Sequence, residues 1–456
     1  MLPTSPEYYC LLGLTFFAFW LLRSKRAAMA VILPVNLFFY AKWGLVYLLL
    51  VPAAATFDFF LGAAIDRVGN SAGKRALLSV SLSINIGLIL LCRYVPGAGY
   101  LLPLSLSFYA FQALTYTIDI YRGDAKPLAS YIDYISSVTF FPTIVAGPVT
   151  NVSALARQWK WKGVVLTGEE GSRALFLIAL GLFKKFLIAD YLGTNLVNRV
   201  FDLPTLYSPG DVLVAVYAYA FQLYYDFSGY SDIAIGSALL LGIRLPANFN
   251  LPYRATNITE FWRRWHITFS NWLRDYLYFA LPGQRTRVMP YLNLIFTMMV
   301  GGLWHGASWN FFIWGALHGF ALAFFRLWQV WRKPPGSKAG KPAPAGFGAG
   351  ILTFHFVLIT WIFFRAATPG TAVKILSQIA GLSNLRFSFD NVPPAFLGVL
   401  LLAAMGHFVP RSWHDSGVIW FSRTPAVLQA ASLALLVVAI QLVSSTGAAP
   451  FIYSKF

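Results

Sequence analysis

The sequence predicts an all-α, polytopic integral membrane protein, and three observations carry that prediction. The chain is 58% hydrophobic and 11% charged, whereas a soluble domain carries about 25% charged residues. Apolar runs of about 15–20 residues recur along its whole length, each enough to cross about 30 Å of hydrocarbon as a helix. A transmembrane barrel would instead show shorter segments of alternating polarity. We expect roughly 10–13 membrane segments by the ~20-residue criterion, with re-entrant and surface helices among them. No soluble stretch separates the runs, so residues 1–456 read as a single membrane-embedded domain.

The elements follow from charge and hydropathy in order. Residues 7–22 make the first span. Arg23, Lys25 and Arg26 follow it, which is the wrong flank for a cleavable signal peptide and implies an outside N-terminus. Residues 27–41 and 43–61 form a hairpin that returns to a basic loop with Arg67, Lys74 and Arg75. Residues 76–92 go out, and 101–119 come back to Arg122 and Lys126. Basic clusters therefore collect on one side, as the positive-inside rule requires. That rule also accounts for most of the net charge of +18. The basic balance implies contact with membrane lipid and no nucleic-acid partner.

The pattern changes after residue 128. Phe140 to Pro148 is apolar but too short to span, and Pro142 and Pro148 interrupt it. Irregular backbone at membrane depth must be buried in protein or line a cavity, so a re-entrant or half-buried segment is expected. Residues 174–192 carry Lys184-Lys185 in mid-run, which favours a tilted or surface helix. Residues 211–243 form a span that includes Asp226 and Asp232. Apolar runs at 290–303 and 308–328 precede a Gly, Pro and Lys-rich loop at 331–349. Spans near 350–364, 395–409 and 425–445 complete the chain.

Chemistry-bearing residues concentrate at 261–319, which holds three of the six histidines. His305 stands in the run Gly301-Gly302-Leu303-Trp304-His305-Gly306. Ionisable residues inside a membrane are costly and commonly functional. Glycine neighbours let another backbone or a ligand approach closely. A desolvated neutral imidazole suits general-base work on a hydroxyl. A histidine satisfied by a neighbouring helix fits the same pattern, so both roles stay open. On one continuous helix, Arg263, His266, Ser270 and Arg274 would share a face. Such a face suits a phosphate or a polar acyl donor, or else arginines snorkelling to headgroups. His318 lies thirteen residues beyond His305. On a single helix that is about 20 Å and out of phase, so the two cannot chelate one metal. Cys10 and Cys92 provide neither a disulfide framework nor metal spacing, and no metal site is expected. Asp119, Asp226 and Asp232 could orient a histidine, bind a cation or pair with a buried arginine, and pairing is the expected outcome for all three. Together with His305 they could also mark an ion path, which would make the protein a transporter. No internal repeat supports that alternative.

Taken in order, several stretches resemble the membrane-bound O-acyltransferase family. They are Leu102 to Tyr109, Ile118-Asp119-Ile120-Tyr121-Arg122-Gly123, Phe141-Pro142 with Ala146-Gly147-Pro148, and Leu182-Phe183-Lys184-Lys185. Tyr225 to Asp232, Asn248-Phe249-Asn250, Phe261 to His266, Leu273 to Leu277 and Gly301 to Gly306 follow, with Pro450 to Tyr453 near the end. The similarity extends to the bacterial branch of alginate O-acetyltransferases and teichoic-acid D-alanyl transfer proteins. The resemblance implies a helical bundle around a central funnel. It places the family's invariant histidine at His305 and its second motif histidine at His266, both as catalytic candidates. Arg263, Arg264, Arg274, Trp304 and Asp226 become substrate-binding candidates. It also implies an inner-membrane enzyme with acetyl-CoA as acyl donor, no tightly bound cofactor, and a periplasmic acetyltransferase or acyl-relay partner. The expected product is an O-acetylated exopolysaccharide such as alginate or cellulose, with D-alanyl transfer and a non-enzymatic scaffold as alternatives. The turn Phe279 to Arg285 departs from the family's usual Pro-Leu-Gly-Gly-Asn-Arg-like sequence, and no role is carried over to it.

Overall fold

The computed structural model of the chain describes residues 2–22, 24–94, 105–145, 147–159, 166–332, 346–381 and 388–443. Among these, helices are the sole regular secondary structure. The expected loop at 331–349, the start of the Leu102 to Tyr109 stretch (residues 102–104), Ala146, Lys160, Lys162 and the motif Pro450 to Tyr453 lie wholly or largely outside the described residues.

In chain order the helices begin with α1 (Pro6–Leu21), α2 (Lys25–Ala41), α3 (Leu45–Arg67), α4 (Ser71–Tyr94) and α5 (Ser105–Arg122). Three short helices follow, α6 (Tyr131–Val138), α7 (Phe141–Ile144) and α8 (Val152–Ala156), and then α9 (Gly168–Leu182). Next come α10 (Asn198–Asp202), the long α11 (Pro209–Leu240), α12 (Ile258–Arg264) and α13 (Ile267–Trp272). The chain continues with α14 (Met289–His305), α15 (Trp309–Trp331), α16 (Phe347–Arg365) and α17 (Pro369–Ala380). It closes with α18 (Pro394–Phe408), α19 (Arg411–Arg423) and α20 (Ala426–Val443).

Among the described residues five helices are long and apolar enough to cross a membrane: Leu45–Arg67, Ser71–Leu90, Trp309–Trp331, Phe347–Arg365 and Ala426–Val443. A sixth is added if Pro394–Phe408 and Ser412–Arg423 act as one bent span. The larger sequence-based number of segments includes shorter and broken helices such as α2, α9 and α14. Helix α20 buries none of its residues, as suits a helix whose solvent is lipid, where apolar side chains gain nothing by turning inward.

The contacts divide the chain into two compact units. The first comprises residues 1–182, 229–247 and 416–433. Its α5 is buried from Leu106 to Ile120 and packs against α3, where Gly62 lies under the Tyr116 ring. A buried polar group crosses α3, α4 and α5. Ser81 Oγ and Asn85 Nδ2 donate to the Asp58 carboxylate at 2.6 and 2.8 Å, and Ser81 Oγ lies 2.9 Å from Thr117 Oγ1. These bonds supply the partners a buried carboxylate requires. The expected broken segment after residue 139 is the short, fully buried α7. Asn36 holds it in place. Its Nδ2 donates to Ser136 O and Thr139 Oγ1, and its Oδ1 accepts from the Phe141 amide.

The second unit comprises residues 183–228, 248–415 and 434–456. It opens with a π-helix, Phe183–Asp190. Here the sequence expectation of a tilted or surface helix fails for Lys185. That side chain is 1% exposed, with Nζ 2.7 Å from both Asp190 Oδ1 and Asp226 Oδ1. Residues five apart on an α-helix point about 140° away from each other. The wider π turn brings Lys185 and Asp190 to one side, so the local geometry follows from the buried ion pair. Asp226 sits on α11, and the buried aspartate is paired as expected, although its partner is Lys185 and not an arginine. In the same unit α14 and α15 form a tight hairpin. Gly302 lies against the Phe311 carbonyl oxygen and Gly315 Cα, and a Cβ on Gly315 would come within 2.5 Å of Met298 O.

Candidate active site

The site lies in the second unit and is built on α12 to α16. Helix α12 starts from Asn257, whose Oδ1 accepts from the Glu260 amide at 2.8 Å, while Glu260 Oε2 accepts from the Thr256 amide at 2.8 Å. This reciprocal capping fixes the helix start. The helix stops at Arg264, Trp265 is extended, and His266 adopts a left-handed conformation with φ +41°. Helix α13 then restarts at Ile267, and Leu273–Leu277 is π-helical. Residues 263–274 do not form one continuous helix, the condition under which a shared face would arise. Arg263, His266, Ser270 and Arg274 therefore do not share one face. The physical reason is a long-range competitor for the backbone. Asn248 O accepts from the Ile267 amide at 2.8 Å, and the Arg264 carbonyl accepts from the Asn250 amide at 2.9 Å.

His266 is buried. Its Nδ1 lies 3.1 Å from Asn248 Oδ1, which also accepts from the Thr268 hydroxyl at 2.9 Å. With Oδ1 as acceptor, Nδ1 carries the hydrogen and Nε2 keeps its lone pair. Burial pushes the imidazole down to about 3, against the opposing pull of a bond with its own backbone. His266 is therefore neutral at physiological pH. Its ring meets Phe227 edge-on at 4.6 Å and Phe269 at 4.9 Å.

His305 is the last residue of α14 and is also buried. The rings of Trp304, Phe364 and Trp314 surround it at 4.6, 5.0 and 5.2 Å. Phe269 lies 6.4 Å from His305, and Trp304 lies 6.4 Å from His266. Phe269 and Trp304 pack together at 4.4 Å. The structure thus gathers both histidines around one aromatic pair, although they lie 39 residues apart in sequence (305 − 266). The glycines beside His305 serve backbone approach. Gly302 receives α15, and Gly306 receives the Phe311 ring, which a Cβ would meet at 2.5 Å.

The other expected residues take distinct places. Arg264 makes two bonds to Glu260 Oε1, at 2.9 and 2.7 Å, and one to Asn250 O at 3.1 Å. Hydrogen bonds from Thr256 and Arg264 outweigh burial and hold the Glu260 carboxyl below the usual range. Arg274 is half exposed and grips its neighbour Asp275 at 2.7 and 2.9 Å. Arg263 is exposed on α12. Trp304 lies in the site itself. His318 is held structurally: Trp262 Nε1 donates to its Nδ1 at 3.3 Å, and Nε2 lies 2.9 Å from Thr360 Oγ1. The Thr360 hydroxyl already donates to Val357 O, so it accepts from His318. Trp314 stands between the two histidines, 4.9 Å from His318 and 5.2 Å from His305. Among the described residues no three His, Cys, Asp or Glu side chains are grouped to hold a metal. Asn248 stands in the Asn248-Phe249-Asn250 stretch, and nothing in the sequence marks it as the residue that positions His266. A partner from a distant loop leaves no periodic signal.

Residues 121–367 match the family model of MBOAT, the membrane-bound O-acyltransferase family. The chain belongs to this family. It is a multi-pass membrane O-acyltransferase. This O-acyltransferase is 35% identical to the peptidoglycan O-acetyltransferase of Helicobacter pylori, over 77% of this chain and 73% of that one. It is 32% identical to the protein named probable alginate O-acetylase AlgI of Pseudomonas putida, over 97% of both chains. The teichoic acid D-alanyltransferase of Streptococcus thermophilus is 30% identical over 57% of this chain and 68% of its own length.

Proposed function

We propose that this O-acyltransferase, acting as one functional domain in the bacterial inner membrane, moves acetyl groups from cytoplasmic acetyl-CoA for O-acetylation of an exopolysaccharide such as alginate or cellulose. A periplasmic acetyltransferase or relay protein takes the group onward. The observation that carries this reading is that His266 and His305 pack against the same two rings, Phe269 and Trp304. A water-poor aromatic wall keeps an imidazole neutral, which is the form a general base needs. In the proposed step the acceptor hydroxyl oxygen attacks the thioester carbonyl carbon. The C–O bond forms, the C–S bond breaks, and His305 takes the hydroxyl proton and returns it to the departing thiolate. His266, held through Nδ1 by Asn248, borders the same aromatic pair. Arg263 and Arg274 are exposed and suit the mouth through which an anionic donor arrives. The near full-length likeness to a protein named for alginate acetylation favours acetyl over D-alanyl transfer, whose relative matches 57% of this chain.

The test is His305→Ala in reconstituted vesicles supplied with radiolabelled acetyl-CoA and the partner system. Acetyl transfer should fall at least about 10²-fold, the scale of a lost general base, while the protein remains membrane-inserted. Wild-type transfer in that variant would sink the assignment. A scaffold would ignore the substitution, and a transporter would move label without esterifying it.

A further inference from the structure

The first unit holds a cleft of about 660 Å³ that the acyl-transfer chemistry does not use. Its floor is apolar, built from Leu177 of α9, Leu239 near the end of α11, and Ile243 just beyond. Its rim is charged, with Glu169, Glu170 and Arg173 on the first turns of α9 and Arg244 opposite them. The volume is that of a small-molecule site. The rim charges are of two kinds. Arg244 Nη2 and Glu170 Oε1 satisfy one another at 2.6 Å. Glu169 and Arg173, one helical turn apart and both exposed, have no ion-pair partner among the described residues. An open anion and an open cation therefore stand side by side at the mouth of a greasy cleft.

We propose that this cleft binds a phospholipid with a zwitterionic, primary-ammonium headgroup. The phosphate lies on Arg173, the ammonium donates to Glu169, and an acyl chain covers Leu177, Leu239 and Ile243. Charge complementarity selects this occupant. An anionic headgroup would leave the open Glu169 carboxylate without a cation, and a quaternary ammonium has no N–H to donate to it. Position agrees with it. The charged first turns of α9 give way to the apolar run Ala174 to Leu182, the transition a helix makes where headgroups end and hydrocarbon begins.

The experiment uses the full chain, purified in detergent and stripped of lipid, then titrated with dioleoyl-phosphatidylethanolamine or dioleoyl-phosphatidylglycerol and read by native mass spectrometry. Phosphatidylethanolamine should bind about tenfold more tightly than phosphatidylglycerol, a difference of about 1.4 kcal/mol. Glu169→Gln with Arg173→Gln, both surface changes, should remove that preference. Leu239→Trp should fill the cleft and lower occupancy. Equal binding of the two lipids, or a preference retained in the double variant, would overturn the proposal. Displacement of the lipid by soluble glycerophosphoethanolamine would overturn it too, because the apolar floor would then contribute nothing.

Discussion

Gly301 and Gly302 are adjacent on α14, yet alanine should be tolerated at the first and costly at the second. At Gly301 the nearest atom to the new methyl is Leu273 Cδ1 at 3.2 Å, the tip of a side chain that can turn aside. At Gly302 the methyl overlaps the Phe311 carbonyl oxygen and lies 3.2 Å from Gly315 Cα, so backbone meets it on both counts. Helices α14 and α15 must separate, at an overpacking cost of about 1–3 kcal/mol. Gly302→Ala should therefore melt below Gly301→Ala by the equivalent of about 1–3 kcal/mol. It should also lose acyl transfer, because His305 lies one turn further along the same helix. Thermal unfolding in detergent, followed by intrinsic tryptophan fluorescence, measures the first effect, and the vesicle assay measures the second. Equal melting temperatures for the two variants would refute the reasoning.

Two further outcomes follow from buried groups. Lys185→Met leaves Asp190 and Asp226 without their cation and should cost about 3–5 kcal/mol. Adding Asp226→Leu should recover part of that loss, and a double variant less stable than the single would contradict the pairing. His266 should make stability depend on pH. Its folded value of about 3 lies below the ordinary 6.5, so the unfolded chain binds the proton more readily. Stability is full above pH 6.5 and falls as pH drops, by about 2 kcal/mol between pH 6.5 and 5. Replacing the ring with His266→Gln should flatten that part of the profile, and an unchanged slope would count against a buried neutral imidazole.

The apolar runs read well from the sequence because hydrophobic length is a local property. The runs at 290–303 and 308–328 became α14 and α15, with the break at Gly306 to Ser308. Helices α17 and α19 went unread because neither carries a long apolar run. The start of α17 does carry a local signal, Thr368 before Pro369, where the Thr368 hydroxyl accepts from the Thr371 amide at 3.1 Å. The site was legible as a set of residues and not as an arrangement. Spacing alone left one helix through 263–274 open, since nothing near His266 announces a left-handed residue. Asn248, eighteen residues earlier, decides it. Lys185 shows the same limit: a lysine in an apolar run resembles an interfacial anchor until its two aspartates are located.

The seam between α14 and α15 also has an entropic side. Glycine has no side-chain rotamers to lose, whereas long side chains forfeit up to about 2 kcal/mol each when buried. Glycine's usual penalty is backbone freedom. A helix in a bilayer has already surrendered that freedom before it docks, because hydrocarbon leaves its backbone groups no alternative partner. Docking α14 onto α15 at Gly302, Gly315 and Gly319 therefore freezes almost nothing that was still moving. His305 ends up attached to a joint whose closure leaves little disorder to regain, so thermal motion has little incentive to reopen it.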